Sequence, residues 1–185
     1  GNILYFKITS TGNSTDYGNL DAAQNGVEGI SSSTRAVFAS VSGDPYRYQY
    51  IEIQTGGDTA TFGEATQSAT ARMACCNSTR GLLAGGYLGG AAKNIIEYIT
   101  IANTGNGTDF GDLSAGRYNG AGLQSTTRGV FGGGSTGSFS NIIDYVTIGS
   151  TGNASDFGDL VATGQSLAGA SNSTRGIFGG GFNGS

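Results

Sequence analysis

Apolar and polar residues alternate over short runs along this chain, and glycine, asparagine and serine separate the runs. The segments NIIEYITI (94–101) and NIIDYVTI (141–148) are typical, because both are rich in β-branched and aromatic residues. Their apolar side chains fall on both faces, which favours a strand sandwiched between neighbouring sheets. The pattern predicts short antiparallel strands and tight turns, with no helix longer than about two turns.

One phrase recurs four times and indicates a repeat protein. The segment STRGIFGGG begins at Ser173, and near-copies begin at Ser33, Ser78 and Thr126. The arginine of each copy lies thirty residues after a tyrosine, and an aromatic-glycine pair lies twelve residues after the same tyrosine. The structural repeat positions are therefore predicted to be Arg35, Arg80, Arg128, Arg175, Tyr5, Tyr50, Tyr98 and Tyr145.

Each unit contains four short predicted strands, and its length varies only between the arginine and the next tyrosine. We expect a single all-β domain over residues 1–185, with units at approximately 1–45, 46–93, 94–140 and 141–185. A small sheet that buries both faces needs a copy of itself on each side, and radial repetition of four-stranded sheets supplies those copies. The expected architecture is a β-propeller of four repeats of about 45–48 residues, or an arc of a larger propeller.

The two ends of the sequence fall at the same point of the repeat unit. This phase predicts that the N-terminal strand NILYFKI pairs with the RGIFGGG strand of its own chain and completes a sheet. Association of several copies and the presence of further flanking units remain as alternatives.

The glycine runs and the N-I-I-x-Y segments resemble the kelch repeat, in which a glycine doublet closes one strand of a propeller blade. In that family a later tyrosine and tryptophan pack between blades. Phenylalanine takes the tryptophan place here, and Ala39 and Ser40 replace the doublet in the first unit. Arg117 is the one counterpart of the arginine that follows the kelch tryptophan.

The wording TGNxTDFGDL…STRGVFGGG is also similar to repeats in tail and appendage proteins of bacteriophages. That resemblance implies a virion or extracellular surface location and a non-enzymatic structural or recognition role in host attachment. Its expected partners are other virion or surface proteins, further copies of the chain and cell-surface glycans. A lectin-like carbohydrate-binding module is the first alternative, and an enzyme on a propeller scaffold is the second.

Composition narrows these alternatives. The net charge of −4 disfavours a nucleic-acid partner, because phosphate neutralisation needs clustered lysine and arginine. No run approaches the roughly eighteen apolar residues of a membrane span, so membrane insertion is not expected. The chain has no histidine, which removes the usual base of catalytic triads, and we expect no enzymatic activity.

The recurring DFGD segments pair two carboxylates, Asp109 with Asp112 and Asp156 with Asp159. Because the pair recurs in register, it is interpreted as turn-stabilising rather than catalytic. The same oxygens suit calcium, but their spacing matches no calcium loop that we recognise, and no cofactor is expected. The repeated arginines are predicted to bind these turns or nearby carbonyl groups, with Asp58 as the partner of Arg80.

An irregular segment, ASVSGDPYRYQY (39–50), carries the only proline of the chain. If it is extended, Tyr46, Tyr48 and Tyr50 share one face and Arg47 lies on the other. Aromatic side chains beside polar groups are typical of carbohydrate and protein recognition. Tyr46, Arg47 and Tyr48, in the loop from Asp44 to Tyr48, are the candidate ligand-binding residues, and an aromatic-rich strand without a ligand is the alternative.

Overall fold

A computed structural model of the chain describes residues 1–23, 26–39 and 46–184. Regular structure in these residues is entirely β, which confirms the predicted all-β class. Among them, no helix is long and apolar enough to cross a membrane. The strands are β1 (Asn2–Tyr5), β2 (Thr15–Asn19), β3 (Glu28–Ser31), β4 (Arg35–Ala39), β5 (Arg47–Glu52), β6 (Ala60–Glu64), β7 (Met73–Cys76), β8 (Arg80–Ala84), β9 (Tyr87–Leu88), β10 (Ala91–Ala92), β11 (Ile95–Thr100), β12 (Thr108–Asp112), β13 (Ala121–Gln124), β14 (Arg128–Gly132), β15 (Ile142–Thr147), β16 (Ser155–Asp159), β17 (Gln165–Ser171) and β18 (Gly176–Phe182).

The strands form three four-stranded antiparallel sheets and three hairpins. The first sheet has the order β3-β4-β5-β6, the second β7-β8-β11-β12 and the third β13-β14-β15-β16. The N-terminal hairpin is β1-β2, the C-terminal hairpin is β17-β18, and β9-β10 is a small hairpin within the second sheet's connection. Each four-stranded sheet therefore takes two strands from one sequence unit and two strands from the next.

The sheets stack in chain order, because the first strand of each lies beside the first strand of the next. β3 contacts β7, β7 contacts β13, and β13 contacts β17 of the C-terminal hairpin. At the other end, the N-terminal hairpin lies on the first sheet, where the amide of Gly57 donates to the carbonyl of Tyr17 at 2.8 Å. The two hairpins are thus attached to opposite ends of a stack of three sheets.

The terminal hairpins are not joined to each other. Among the described strands, β1 pairs only with β2, and β18 pairs only with β17. The predicted pairing of NILYFKI with RGIFGGG within one chain is therefore wrong for this structure. The physical reason is the order of the stack, in which three complete sheets separate the two edges.

Apolar side chains pack between adjacent sheets, as the two-faced strands predict. One cluster fills the space between the first and second sheets and includes Phe62, Leu83 and Ile99. A second cluster between the second and third sheets includes Ile96 and Phe110. Ile96 and Ile99 belong to the same strand but to different clusters, so β11 buries side chains on both of its faces.

The third and fourth strands of each four-stranded sheet meet in a bulge at the repeated aromatic-glycine step. In β12 the register shifts opposite Ile96 and Glu97, and Gly111 adopts a φ of 140°. The carboxylate of Asp109 accepts a hydrogen bond from the Gly111 amide at 3.2 Å. Asp16 and Asp156 make the same bond to their own bulge glycines, which supports the predicted turn-stabilising role of these aspartates.

Candidate functional site

The repeated arginines lie flat over the repeated tyrosines. The guanidinium carbon is 4.4 Å from the ring centroid in the Arg35 and Tyr50 pair and 4.2 Å in the Arg80 and Tyr98 pair. Arg128 covers Tyr145 in the same way at 4.4 Å. Stacking of a cation on an aromatic face ties adjacent strands together.

Of the acceptors predicted for the arginines, carbonyl groups are used and the aspartates are not. Arg80 donates to the carbonyl of Ile148 at 2.9 Å, so the predicted pairing with Asp58 is wrong. Arg35 donates to the carboxylate of Glu52 at 2.7 Å and to the carbonyl of Ile101 at 3.1 Å. Two of the acceptors are carbonyl groups in the loop after the third strand of a neighbouring sheet. The arginines therefore connect sheets as well as strands.

The fourth arginine is different, because no sheet lies beyond it. Arg175 is exposed, and its guanidinium has no hydrogen bond or ion pair within the described residues. The fourth tyrosine, Tyr5, stacks on Tyr17 at 4.9 Å instead. The last pair of the repeat is present in the sequence but is not assembled in the fold.

The predicted ligand residues separate into one buried and two accessible side chains. Tyr48 is 1% exposed, and its hydroxyl donates to the Glu97 carboxylate at 2.5 Å. Its inclusion in a surface site is therefore wrong, because the second sheet covers the face of β5 that carries Tyr48. Tyr46 is half-buried and Arg47 is exposed. Asp44, the predicted start of this loop, lies outside the described residues.

Glu97 is the centre of a buried polar cluster that the sequence did not reveal. Its carboxylate pairs with Arg72, accepts from Tyr48, and accepts from the amide and hydroxyl of Thr66 at 2.6 and 2.5 Å. Burial, followed by the charge of Glu97, raises the pKa of the Tyr48 hydroxyl. Arg72 also donates to the carbonyl of Leu83 at 3.2 Å. The cluster thus joins the first sheet to the second.

Asp144 occupies the equivalent position in the third sheet. It pairs with Arg117 at 2.7 Å, and both side chains are fully buried. Arg117 also donates to the carbonyls of Gly133 and Ile142, at 3.1 and 2.6 Å. Burial lowers the pKa of Arg117, and the adjacent Asp144 partly offsets that shift. Each of the two buried acids forms an ion pair with a buried arginine, and these pairs hold the polar groups inside the fold.

The sequence pattern reveals only the acidic members of these ion pairs. Gln49, Glu97 and Asp144 each precede a repeat tyrosine inside an otherwise apolar strand. A polar residue at a position buried on both faces requires a partner. The kelch resemblance points to Arg117 alone, and spacing gives no signal for the two arginines together, because Arg72 and Arg117 stand at different distances from their repeat arginines.

The sheets present two different edges to solvent. At the connection edge, the second strand of each sheet is linked to the third, and this link differs from unit to unit. In the second sheet this link contains the β9-β10 hairpin. Its Tyr87 is 40% exposed, and the ring centroids of Tyr87 and Tyr118 are 4.8 Å apart. In the third sheet it contains Ser135, which bridges to Tyr118 and Phe139. Because β5 begins at this edge, Tyr46 and Arg47 lie there as well.

At the turn edge, the repeated arginine turns surround a cavity of about 420 Å³. Asn77 and Asn172 shape two of these turns by accepting from the amides of Thr79 and Thr174. The lining is free of charged groups and is rich in hydroxyl and amide groups: Ser31, Cys76, Asn77, Ser78, Gln124, Ser125, Thr126, Asn172 and Ser173. Such a surface can exchange hydrogen bonds with a neutral hydroxylated ligand.

Within the described ranges, no group of three or more aspartate, glutamate or cysteine side chains converges to hold a metal ion. Cys75 and Cys76 are free thiols, and burial raises the pKa of Cys75, which makes it a packing residue. No protein-family model matches the chain, and no curated protein is detectably similar to it.

Proposed function

We propose that this chain is a non-enzymatic structural and recognition module of a phage tail, fibre or other virion appendage, where it contributes to attachment to a host surface. Its proposed architecture is a kelch-like β-propeller or an arc of one. Three antiparallel sheets that stack through their first strands support the propeller arrangement. The similarity of the repeat sequence to repeats of phage appendage proteins supports the location in a virion appendage.

One observation supports the recognition role above the others. The residues that recur from unit to unit make contacts within the fold, since the arginines stack on tyrosines and the aspartates bind bulge amides. The differences between units concentrate at the connection edge, which carries the β9-β10 hairpin, Tyr87 and Tyr118. A constant framework with variable connections is the arrangement by which many folds present binding residues.

A lectin-like role is the second candidate, and the cavity at the turn edge favours it. Hydroxyl and amide groups from four equivalent turns face one space that has the volume of a small saccharide site. The exposed Tyr87 ring, held against Tyr118, offers a second surface on which a sugar ring can stack.

Binding of the fluorescently labelled chain to intact bacteria and to their purified surface polysaccharides tests the proposal. We expect saturable binding that Tyr87→Ala or Arg47→Ala weakens at least about tenfold if one connection-edge contact contributes about 1.4 kcal/mol. Loss of binding in Asn77→Ala or Ser125→Ala, with the connection-edge variants unaffected, would assign the lectin-like role to the cavity. Thr151→Ala, an exposed change outside both surfaces, is the control.

Two results would overturn the recognition role. One is the absence of saturable binding to every cell and polysaccharide that is tested. The other is the release of reducing sugar ends during incubation, because that product would identify a glycan-cleaving enzyme.

A further inference from the structure

Exposed large apolar side chains are concentrated at the two ends of the stack. The exposed set comprises Leu4, Phe6 and Ile8 at the N-terminal end, Phe157, Val161, Ile177 and Phe182 at the C-terminal end, and Tyr87.

Residues at equivalent repeat positions are exposed at the ends of the stack and buried inside it. Phe157 is 52% exposed, whereas its equivalents Phe62 and Phe110 are 3% and 2% exposed. Ile8 is 92% exposed, whereas its equivalents Ile101 and Ile148 are fully buried. The ends therefore have the side chains of a buried junction without a neighbouring sheet.

The internal junctions show which end residues match each other. Phe110 packs in one cluster with Val146 and Ile148, which lie one and three residues after a repeat tyrosine. The residues one and three positions after Tyr5 are Phe6 and Ile8. By this equivalence, Phe157 of the third sheet fits Phe6 and Ile8 of the N-terminal end.

Backbone hydrogen bonds repeat in the same way. At the internal junction between the second and third sheets, Gly152 donates to the carbonyl of Phe110 at 2.7 Å and Ala154 donates to that of Asp112 at 2.8 Å. Asn153 accepts from the amide of Asp112 at 3.0 Å. The junction between the first and second sheets has the same three bonds, made by Gly105, Gly107 and Asn106 to Phe62 and Glu64.

Each end of the stack carries the residues of one side of this three-bond junction. Gly12, Asn13 and Ser14 stand at the positions of Gly152, Asn153 and Ala154, and Phe157 and Asp159 stand at those of Phe110 and Asp112. A Cβ atom added at Gly158 would meet nothing within 4 Å, whereas one added at its internal equivalents Gly63 or Gly111 would meet a loop carbonyl of the next sheet, so the outer face of the third sheet is not covered.

One side-chain pair makes the ends specific for each other. At the internal junctions, the residue before the repeat tyrosine accepts a hydrogen bond from the residue four positions after the repeat aromatic. Glu97 accepts from Thr66, and Asp144 accepts from the amide of Ser114. The equivalent residues at the ends are Leu4 and Val161, and both are exposed. An apolar residue has replaced the acid on one side and the polar donor on the other, so these two surfaces match each other better than either matches an internal unit.

We propose that β1 and the loop that follows it (residues 2–14) dock onto β16 and β18 of a second copy of this chain. The contact adds β1 of one copy to the open edge of β18 in the other, which completes a four-stranded sheet. The β4-β5 register then sets Ile177 opposite Tyr5, by equivalence with Val37 opposite Tyr50. It also sets Arg175 opposite Lys7 where the internal pair is Arg35 and Glu52, so this one pair of cations opposes the contact. Arg175 would then lie beside Tyr5, as Arg35 lies over Tyr50.

A second copy is the occupant because one chain holds its own two surfaces apart. Three complete sheets separate the hairpins, and Ile8 and Val161 remain solvent-exposed in the single chain. The contact joins unlike surfaces, so it is heterologous, and it produces either a closed ring or a longer array of copies.

Sedimentation velocity across concentrations up to about 100 µM tests this proposal. We expect wild-type protein to shift from one copy to two or more copies as concentration rises. Phe6→Asp and Phe157→Asp should each remain a single copy over the same range, because either change places a charge in the apolar contact. Thr104→Asp, a charge at an exposed residue away from both ends, should associate as the wild type does.

Mixing provides a second measurement, with circular dichroism of each variant to verify its β signal. A 1:1 mixture of Phe6→Asp and Phe157→Asp retains one intact surface of each kind, so it should form a two-copy complex. A wild-type chain that stays a single copy at every concentration would overturn the proposal, and so would association that neither variant reduces.

Discussion

The pentapeptide DFGDL occurs at residues 109–113 of the second sheet and at residues 156–160 of the third, and its two copies have opposite environments. Phe110 is buried against the third sheet, whereas Phe157 faces solvent although it makes the same edge contact with its own tyrosine. Strand pairing and the glycine bulge are alike in both copies. The local sequence therefore fixes the strand, but only a neighbouring sheet buries it.

The largest difference between the two regions is expected for the phenylalanines. Phe110→Ala should lower the free energy of unfolding by about 3–5 kcal/mol, because it opens a cavity between two sheets. Phe157→Ala should cost less than about 1 kcal/mol in dilute protein. Urea unfolding of both variants measures the contrast. Equal losses would show that the third sheet is covered even in the single chain.

Buried and exposed aspartates provide the next comparison, because Asp144 and Asp156 face each other on paired strands. Asp144→Ala leaves the Arg117 charge buried without its partner, at an expected cost of about 3–5 kcal/mol. Asp156→Ala removes an exposed bond to the Gly158 amide and should cost about 1 kcal/mol or less. Denaturant unfolding distinguishes the two, and a mild effect of Asp144→Ala would contradict the buried ion pair.

A smaller contrast is expected for the repeated arginines. Arg80→Ala removes the stacking on Tyr98 and the bond to Ile148, so it should cost about 1–3 kcal/mol. Arg175→Ala should cost less than about 0.5 kcal/mol in dilute protein, because that guanidinium is exposed. Thermal unfolding curves of both variants provide the measurement. A fall in melting temperature for Arg175→Ala as large as that for Arg80→Ala would indicate an additional contact at the C-terminal end.

The smallest effect concerns Glu28, which stands where the inner units have Met73 and Ala121. Burial raises the pKa of Glu28 above its ordinary value of 4.5. A raised carboxyl pKa stabilises the fold below the ordinary value, and that contribution is lost as pH rises through the raised pKa. Glu28→Gln should therefore melt slightly higher than wild type at pH 7, and this advantage should disappear toward about pH 4. An advantage that persists at low pH would indicate a packing effect.

Sequence reasoning predicted the all-β class and the strands, because the apolar runs and glycine turns are strictly spaced. It predicted one structural role for all four repeated arginines, but only Arg35, Arg80 and Arg128 lie over tyrosines. It failed for Tyr48, because alternation along a strand predicts an exposed face only when one side of the sheet is open. It also missed the partners of Glu97 and Asp144, since Arg72 and Arg117 reach equivalent places from non-equivalent positions. Which copies of the repeat are covered depends on neighbours that no single strand encodes.

The glycine of each bulge also sets the distance between neighbouring sheets. A Cβ atom at Gly63 would lie 2.0 Å from the carbonyl oxygen of Gly105, and one at Gly111 would lie 2.4 Å from that of Gly152. Each unit carries both sides of this close approach, a bulge glycine for the next unit and a loop glycine for the previous one. A duplicated gene segment of one unit would therefore arrive with both of its joining surfaces already matched, and the array could lengthen during evolution without new compensating substitutions.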